Sequence, residues 1–318
     1  MAPVLRCRRM IEFIARRVAP PAPLADGEFM VSATANATGG FAVLATTEPA
    51  VARGFVDGPH GNRLPFYVPP RSCPAVLLVF EAGQWRRVDL AFLPVSYPCI
   101  ALLPDGEVLV VSLCKPWTGQ GWERRNAHVF GPDGAHRRAF ALGDQLEQVV
   151  VDDDGTIWTA HGDEGWSDDD VDFSGLIRWD GNGRRLWGSG VACCDAAVNA
   201  SDGLAWAFRW RATLIRVREG VTQEFDSPVD GVHAIVVDGD RLLVAGAVEP
   251  GGPGDELSWC ALVGGVIQRS EAAGIVDVDG QPIREWAVLA CHGSRLYLHD
   301  DGDGYRCVDI GADVSGAR

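Results

Sequence analysis

The sequence predicts an all-β fold, a six-bladed β-propeller of four-stranded antiparallel blades, on the strength of three observations. Tight-turn residues recur at one-blade intervals: Pro104-Asp105-Gly106, Asp153-Asp154-Gly155, Ser201-Asp202-Gly203, Asp238-Gly239-Asp240 and His292-Gly293-Ser294, each followed by a short apolar run. A second series, Ala82-Gly83, Asp133-Gly134, Gly181-Asn182-Gly183, Glu219-Gly220 and Gly264-Gly265, falls between them, with its last glycines 51, 49, 37 and 45 residues apart. Repeats of about 40 to 50 residues built from short strands are the signature of propeller blades. Third, 38 glycines and 19 prolines in non-periodic positions suit many short strands joined by turns. Asp-Gly is a strong hairpin signal because its turn needs positive φ, which glycine supplies at little cost.

With strands labelled a to d from the axis outward, the opening blade begins near Phe29 and turns at Thr38-Gly39-Gly40. It continues through Phe41 to Ala45, Val76 to Phe80 and Trp85 to Leu90. The next blades cover 98–142, 146–190, 195–226, 231–270 and 286–310. The clearest has strand a at Leu146 to Asp152, b at Thr156 to Ala160, c at Leu176 to Trp179 and d at Arg185 to Gly188. The last blade is one strand short. Residues 1–25 read as an N-terminal extension ahead of a single propeller domain over 26–318. Within that extension Arg9 to Ala15 is the candidate outer strand that closes the ring, and Pro20 to Pro23 the crossing linker; the alternative is a frayed tail. A seventh blade would have to lie in 46–75, which lacks regular strand patterning.

A formal charge of −15 argues against nucleic acid as a partner, since that binding rests on Lys and Arg neutralising phosphates. No run approaches the roughly 20 apolar residues of a membrane span. The apolar stretch Met10 to Ala15 is interrupted by Glu12 and is too short for a secretory signal. The nine cysteines show no repeated CxxC spacing, so the expectation is reduced, mostly buried thiols in a cytoplasmic protein. A redox role for the vicinal Cys193-Cys194 is the alternative.

In such a fold the a–b and c–d turns share one face, and the b–c and d–a connections share the other. The turns are uniformly tight, whereas the b–c connections vary widely, and long loops on a rigid scaffold are where binding groups usually reside. Trp117, Trp122, Arg124, His161, Asp163, Glu164, Trp166, Arg209 and Trp210 fall in or beside those loops. This aromatic and arginine-rich rim suits a small molecule, a peptide or a protein partner; equally, its tryptophans could pack the loops onto the blades. The acidic run Asp168, Asp169, Asp170 and Asp172 lacks the spacing of an EF-hand and reads as a solvated surface, although calcium is conceivable there.

The corners leading into the innermost strands carry Glu28, Glu147, Asp195, Asp230, His233 and Glu285, with Asn199 further along its strand. In architecture this set is similar to six-bladed lactonases of the regucalcin type. The resemblance implies a divalent cation held by such carboxylate and amide groups, water activated by it, and Glu147, Asp195 or His233 as base. The family-specific sequence around those ligands is absent. No cofactor is otherwise expected. Val232-His233-Ala234-Ile235 ahead of Asp238-Gly239 is similar in placement to a repeat of streptogramin-lyase propellers, without its proline and in one blade alone. NHL- and WD-like propellers are related in architecture only.

Asp154-Gly155-Thr156-Ile157-Trp158, Asp163-Glu164-Gly165, Gly175-Leu176-Ile177-Arg178-Trp179, Cys193-Cys194-Asp195-Ala196-Ala197-Val198-Asn199 and Leu214-Ile215-Arg216-Val217 occur in that order. The series resembles a group of bacterial, mainly actinobacterial, propeller proteins. That resemblance implies the fold and brings no activity with it. No GxGxxG, P-loop, HExxH or GxSxG motif stands in a fitting context. Two readings follow: a non-catalytic propeller that binds through its b–c loop face, or a metal-dependent hydrolase or lyase with its site in the axial channel.

Overall fold

The computed structural model describes residues 10–48, 55–57, 63–65, 74–90, 92–93, 95, 97–115, 124–162, 175–190, 195–209, 212–247, 256–300 and 304–312. Strand β1 (Met10–Ala19) is followed by a first sheet of β2 (Phe29–Ala35), β3 (Phe41–Thr46), β6 (Ala75–Glu81) and β7 (Gln84–Leu90). Inside its b–c connection lies a separate two-stranded hairpin, β4 (Phe55–Asp57) with β5 (Arg63–Pro65). The second sheet is β8 (Pro98–Leu102), β9 (Val108–Ser112), β10 (Ala127–Phe130) and β11 (His136–Phe140). The third is β12 (Leu146–Val151), β13 (Ile157–His161), β14 (Leu176–Trp179) and β15 (Arg185–Gly188). The fourth is β16 (Asp195–Ser201), β17 (Leu204–Arg209), β18 (Thr213–Arg218) and β19 (Val221–Asp226). All four are antiparallel meanders in chain order.

The remaining strands form one eight-stranded sheet, β20-β21-β22-β23-β1-β26-β25-β24. Its first half is β20 (Asp230–Asp238), β21 (Arg241–Ala247), β22 (Glu256–Val263) and β23 (Val266–Val276). Its second half is β24 (Trp286–His292), β25 (Arg295–Asp300) and β26 (Gly304–Asp309). Strand β1 joins the halves. Met10 to Ile14 run parallel to Ala272 to Val276, and Ala15 to Ala19 run antiparallel to Val308 to Tyr305. The segment expected to lie on the last sheet thus pairs mostly with β23, and the pairing with β26 begins at Ala15.

The turns explain why the strands end where they do. Ser201 to Leu204, Asp238 to Arg241 and His292 to Arg295 are two-residue hairpins, with Gly239 and Gly293 supplying positive φ at the first central position. The turns at 36–40, 103–107 and 152–156 are one residue longer and place Gly39, Gly106 and Gly155 in the left-handed region. Gly183 is needed twice over: its φ is +81°, and an added Cβ would lie 2.4 Å from the Phe140 ring of the neighbouring sheet.

Middle strands are covered on both faces, so β3 and β9 are buried throughout, and apolar except for Thr46 and Ser112 at their ends, rather than alternating. The outer strand β19 is mostly exposed and buries only Phe225. The core is divided into wedges between successive sheets: Leu77, Ile100 and Phe130 between first and second, Leu109, Val149 and Ile177 between second and third. Further round, Phe13, Trp259 and Leu296 fill the middle of the eight-stranded sheet. Phe41, Leu78, Tyr297 and Tyr305 bring its β24 end back against the first sheet. The innermost strands accordingly pack in the cycle β2, β8, β12, β16, β20, β24 and β2 again. Among the described residues no α-helix occurs, and therefore none long and apolar enough to cross a membrane.

Candidate functional site

Each innermost strand is the free edge of its sheet, so its outward N–H and C=O groups need partners from elsewhere. Polar side chains of neighbouring inner strands supply some of them. Ser32 Oγ accepts from Ile100 N at 3.2 Å, and Gln148 Oε1 accepts from Val198 N at 2.7 Å. Asn199 (2% exposed) donates to the carbonyls of Ile235 at 2.8 Å and Gly293 at 2.9 Å, and accepts from Gly293 N at 2.9 Å. That one amide ties β16 to β20 and, across the axis, to the turn after β24.

Inner strands also carry β-bulges where they enter from the d–a corners. Register shifts fall between Leu146 and Gln148, between Asp195 and Val198, and between Asp230 and Ala234. Glu147 and His233 therefore fall within these register shifts, and a bulge re-aims the side chain it carries. Glu147 is exposed and His233 half-buried. Asp195 pairs with Phe208 in backbone register, and its side chain lies outside the described residues.

Two of the acids considered as metal ligands are engaged in contacts. Glu28 binds the Arg87 guanidinium through both oxygens, at 2.5 and 3.1 Å, and this pairing holds its carboxyl below the usual value. Asp230 Oδ1 accepts from Gly231 N at 2.9 Å, while Glu285 is exposed. Among the described residues, no three His, Cys, Asp or Glu side chains gather in a group able to hold a metal ion.

On the b–c side, Trp117, Trp122, Asp163, Glu164, Trp166 and Trp210 lie outside the described residues. Arg124 is exposed, and Arg209 forms a two-pronged pair with Glu224 at 2.8 Å for each bond. His161 is buried beneath this face in a relay. Trp179 Nε1 donates to Thr159 Oγ1 at 2.8 Å, the Thr159 hydroxyl lies 2.8 Å from His161 Nε2, and His161 Nδ1 lies 3.0 Å from the Asp144 carbonyl. A carbonyl only accepts, so the proton sits on Nδ1 and Thr159 donates to Nε2. Burial pushes the imidazole down to about 4 and keeps it neutral.

The neutral His161 makes acid stability a prediction. Between about 4 and the ordinary value of 6.5 the unfolded chain binds a proton that the native state refuses. Its stabilisation is complete above 6.5 and is lost as pH falls towards 4, by roughly 3 kcal/mol at about 1.4 kcal/mol per pH unit. Melting curves of the wild type and His161→Gln from pH 7.5 to 4.5 should converge on acidification. Parallel curves would remove His161 from the acid response.

Five described cysteines, Cys99, Cys114, Cys260, Cys291 and Cys307, are free thiols. Burial pushes Cys99 up to about 11 and Cys260 and Cys291 up to about 12, so these behave as core groups rather than nucleophiles. Cys193 and Cys194 lie outside the described residues.

One concavity formed by described residues lies on the turn face. A pocket of about 430 Å³ is walled by the turn at 36–40, Pro104-Asp105-Gly106, and Asp152-Asp153, with Glu81 at its side. It shares Leu102 and Val151 with a cavity of about 50 Å³ among the inner strands, lined by Thr34, Cys99, Gln148, Cys291 and His292. His292 is 7% exposed, and its Nδ1 has no hydrogen-bond partner. Burial lowers its proton affinity. Sequence reasoning passed over His292 as a turn residue; the available signal was a histidine ahead of Gly293 where the other turns of that series carry aspartate ahead of their glycine.

Closed packing of antiparallel sheets around an axis defines the chain as a β-propeller. In structure it is similar to a WD40 chain of the mitotic checkpoint complex, with a TM-score of 0.50 and 10% identity over 90% of this chain and 78% of that one. It is also similar to virginiamycin B lyase from Staphylococcus aureus, in a catalytically inactive form with quinupristin. There the TM-score is 0.47 and the identity 12%, over 94% of this chain and 99% of that one. At such identities the likeness is one of fold. No protein-family model and no curated protein sequence matches the chain.

Proposed function

We propose that the chain is a six-bladed propeller, closed by β1, that binds a small ligand without covalent chemistry of its own. The blade count takes the two halves of the eight-stranded sheet as separate blades, with β1 as the outer strand of the last. The carrying observation is the pocket of about 430 Å³ built from the tight turns of three neighbouring sheets. Concave, preformed sites of this size are where small ligands bind. The engagement of Glu28 by Arg87, and of Asn199 by the Gly293 peptide, supports binding over metal-dependent hydrolysis in the channel. The b–c loop face, with Trp122 and Trp166, remains the candidate surface for a larger partner.

Equilibrium dialysis of the protein against a pool of small metabolites, read by mass spectrometry, separates the two faces. The expected result is enrichment of a compound that is lost in Thr38→Trp, which fills the pocket mouth, and kept in Trp122→Ala/Trp166→Ala. The opposite pattern would move the site to the loop face. Conversion of the enriched compound on adding Mn²⁺ or Zn²⁺ would favour the hydrolase.

A further inference from the structure

Two histidines of the second sheet face one another across neighbouring strands. His128 stands on β10 and His136 on β11, and His128 Nδ1 lies 3.2 Å from His136 Nε2. A register shift brings them together. Ala139 opposes His128 and Arg138 opposes Val129, yet His136 rather than Arg137 opposes Phe130. Opposed residues share a face, and so do residues two apart along a strand. The extra residue therefore turns His136 onto the face of His128 and Phe130. The third sheet repeats the shift with Ile177 and Arg185 in the equivalent places, so the turn itself asks for no histidine.

The pair is held in position and open to solvent. The His136 ring packs on Phe92, with centroids 5.3 Å apart, and on Phe130 at 5.4 Å. His136 is nonetheless exposed, and His128 is half-buried. Partial burial and the charge of Arg125 lower the proton affinity of His136, which favours the neutral ring at pH 7. A hydrogen bond between two imidazoles is the ordinary reading of the contact, one ring nitrogen donating and the other accepting. The same spacing suits a metal. Two nitrogens roughly 2.0–2.1 Å from one ion lie about 3.3 Å apart in tetrahedral geometry, and about 2.9 Å apart as neighbours in octahedral geometry. The 3.2 Å separation falls between those values.

We propose that His128 and His136 form a two-histidine site for one divalent transition ion of the Cu²⁺, Ni²⁺ or Zn²⁺ kind. Imidazole suits these ions, whereas Mg²⁺ and Ca²⁺ take oxygen ligands. On binding, the nitrogen that donated in the hydrogen bond gives up its proton, to its own second ring nitrogen or to water. Both facing nitrogens then turn their lone pairs to the ion. Two protein ligands leave the remaining positions to water, so the site is an open one, unlike the four-ligand sites that staple a fold. It shares no residue with the turn-face pocket.

Isothermal titration calorimetry of the full chain with Ni²⁺ tests the site, with Mg²⁺ and Ca²⁺ as controls. One Ni²⁺ should bind per chain, Cu²⁺ should bind more tightly, and Mg²⁺ and Ca²⁺ should give no saturable heat. His128→Gln and His136→Gln, each checked for folding by circular dichroism, should each weaken Ni²⁺ by at least roughly tenfold, because either change forfeits the gain from the second ligand. His299→Gln should keep the wild-type affinity. Electron paramagnetic resonance of bound Cu²⁺ should show two coordinated nitrogens in the wild type and fewer in either variant of the pair. No saturable Ni²⁺ binding at about 1 mM, or wild-type affinity in both variants of the pair, would overturn the proposal. Binding kept in those variants but lost in Glu147→Gln/Asp195→Asn would place the ion at the axial corners and overturn it as well.

Discussion

Asn199→Ala is expected to cost about 3–5 kcal/mol, with a fall in Tm of roughly 6–10 °C. The substitution removes three hydrogen bonds at once and orphans two backbone groups, the buried Ile235 carbonyl and the half-buried Gly293 N–H. The Gly293 carbonyl suffers less, because it also accepts from Val237 N at 2.8 Å. Each orphaned group costs about 1–3 kcal/mol. Asn199→Asp is the sharper form. It keeps the volume but aims carboxylate oxygens at two carbonyls, so the variant should be at least as unstable at pH 7 and recover partly on acidification, when a protonated acid again offers a donor. Chemical denaturation of both variants decides it. Wild-type stability in Asn199→Asp would show that the tie across the axis is dispensable.

Asn199 also shows where sequence reasoning runs out. An amide on an inner strand near the axis suggests a metal ligand as readily as a structural tie. The choice rests on Gly293, 94 residues away, whose peptide edge reaches the axis only once the ring has closed. His292 was hidden for the same reason, since neither its burial nor its unpartnered nitrogen exists until β24 packs between β20 and β2. By contrast, the turns were legible because their chemistry is local. Asp-Gly and Gly-Gly pairs demand positive φ wherever they stand, and strands β12 to β15 begin and end within a residue of their expected limits.

Bulges were illegible for a further reason. A strand buried on both faces has no alternation for an extra residue to disturb, so Glu147 looks continuous with Val149 to Val151 although the register slips beside it. The hairpin of β4 and β5 was missed because Phe55 to Asp57 and Arg63 to Pro65 are too short to show a period.

Removing residues 1–19 should unfasten the ring and cost more than any single substitution on that strand. Strand β1 covers two edges that would otherwise be free, β23 along Ala272 to Val276 and β26 along Tyr305 to Val308. It also buries Phe13 (1% exposed), whose ring lies 5.3 Å from that of Trp259 in the wedge between the two halves of the eight-stranded sheet. Phe13→Ala alone should cost about 3–5 kcal/mol, since the cavity left among Trp259, Ile275 and Leu296 has little freedom to collapse. Deletion adds the exposed strand edges, which are templates for pairing with another chain, so the truncated protein should melt broadly and self-associate. The closing role has a distinctive signature: a synthetic peptide of residues 10–20 added in trans should bind the truncated protein, restore a single sharp transition and suppress association. Removing only residues 1–14 should free β23 while leaving the pairing with β26, and should give an intermediate Tm. A truncated protein that melts like the wild type would show that the ring holds without β1. The strand would then be a surface addition, and the outer edge of the last sheet would need another explanation for its stability.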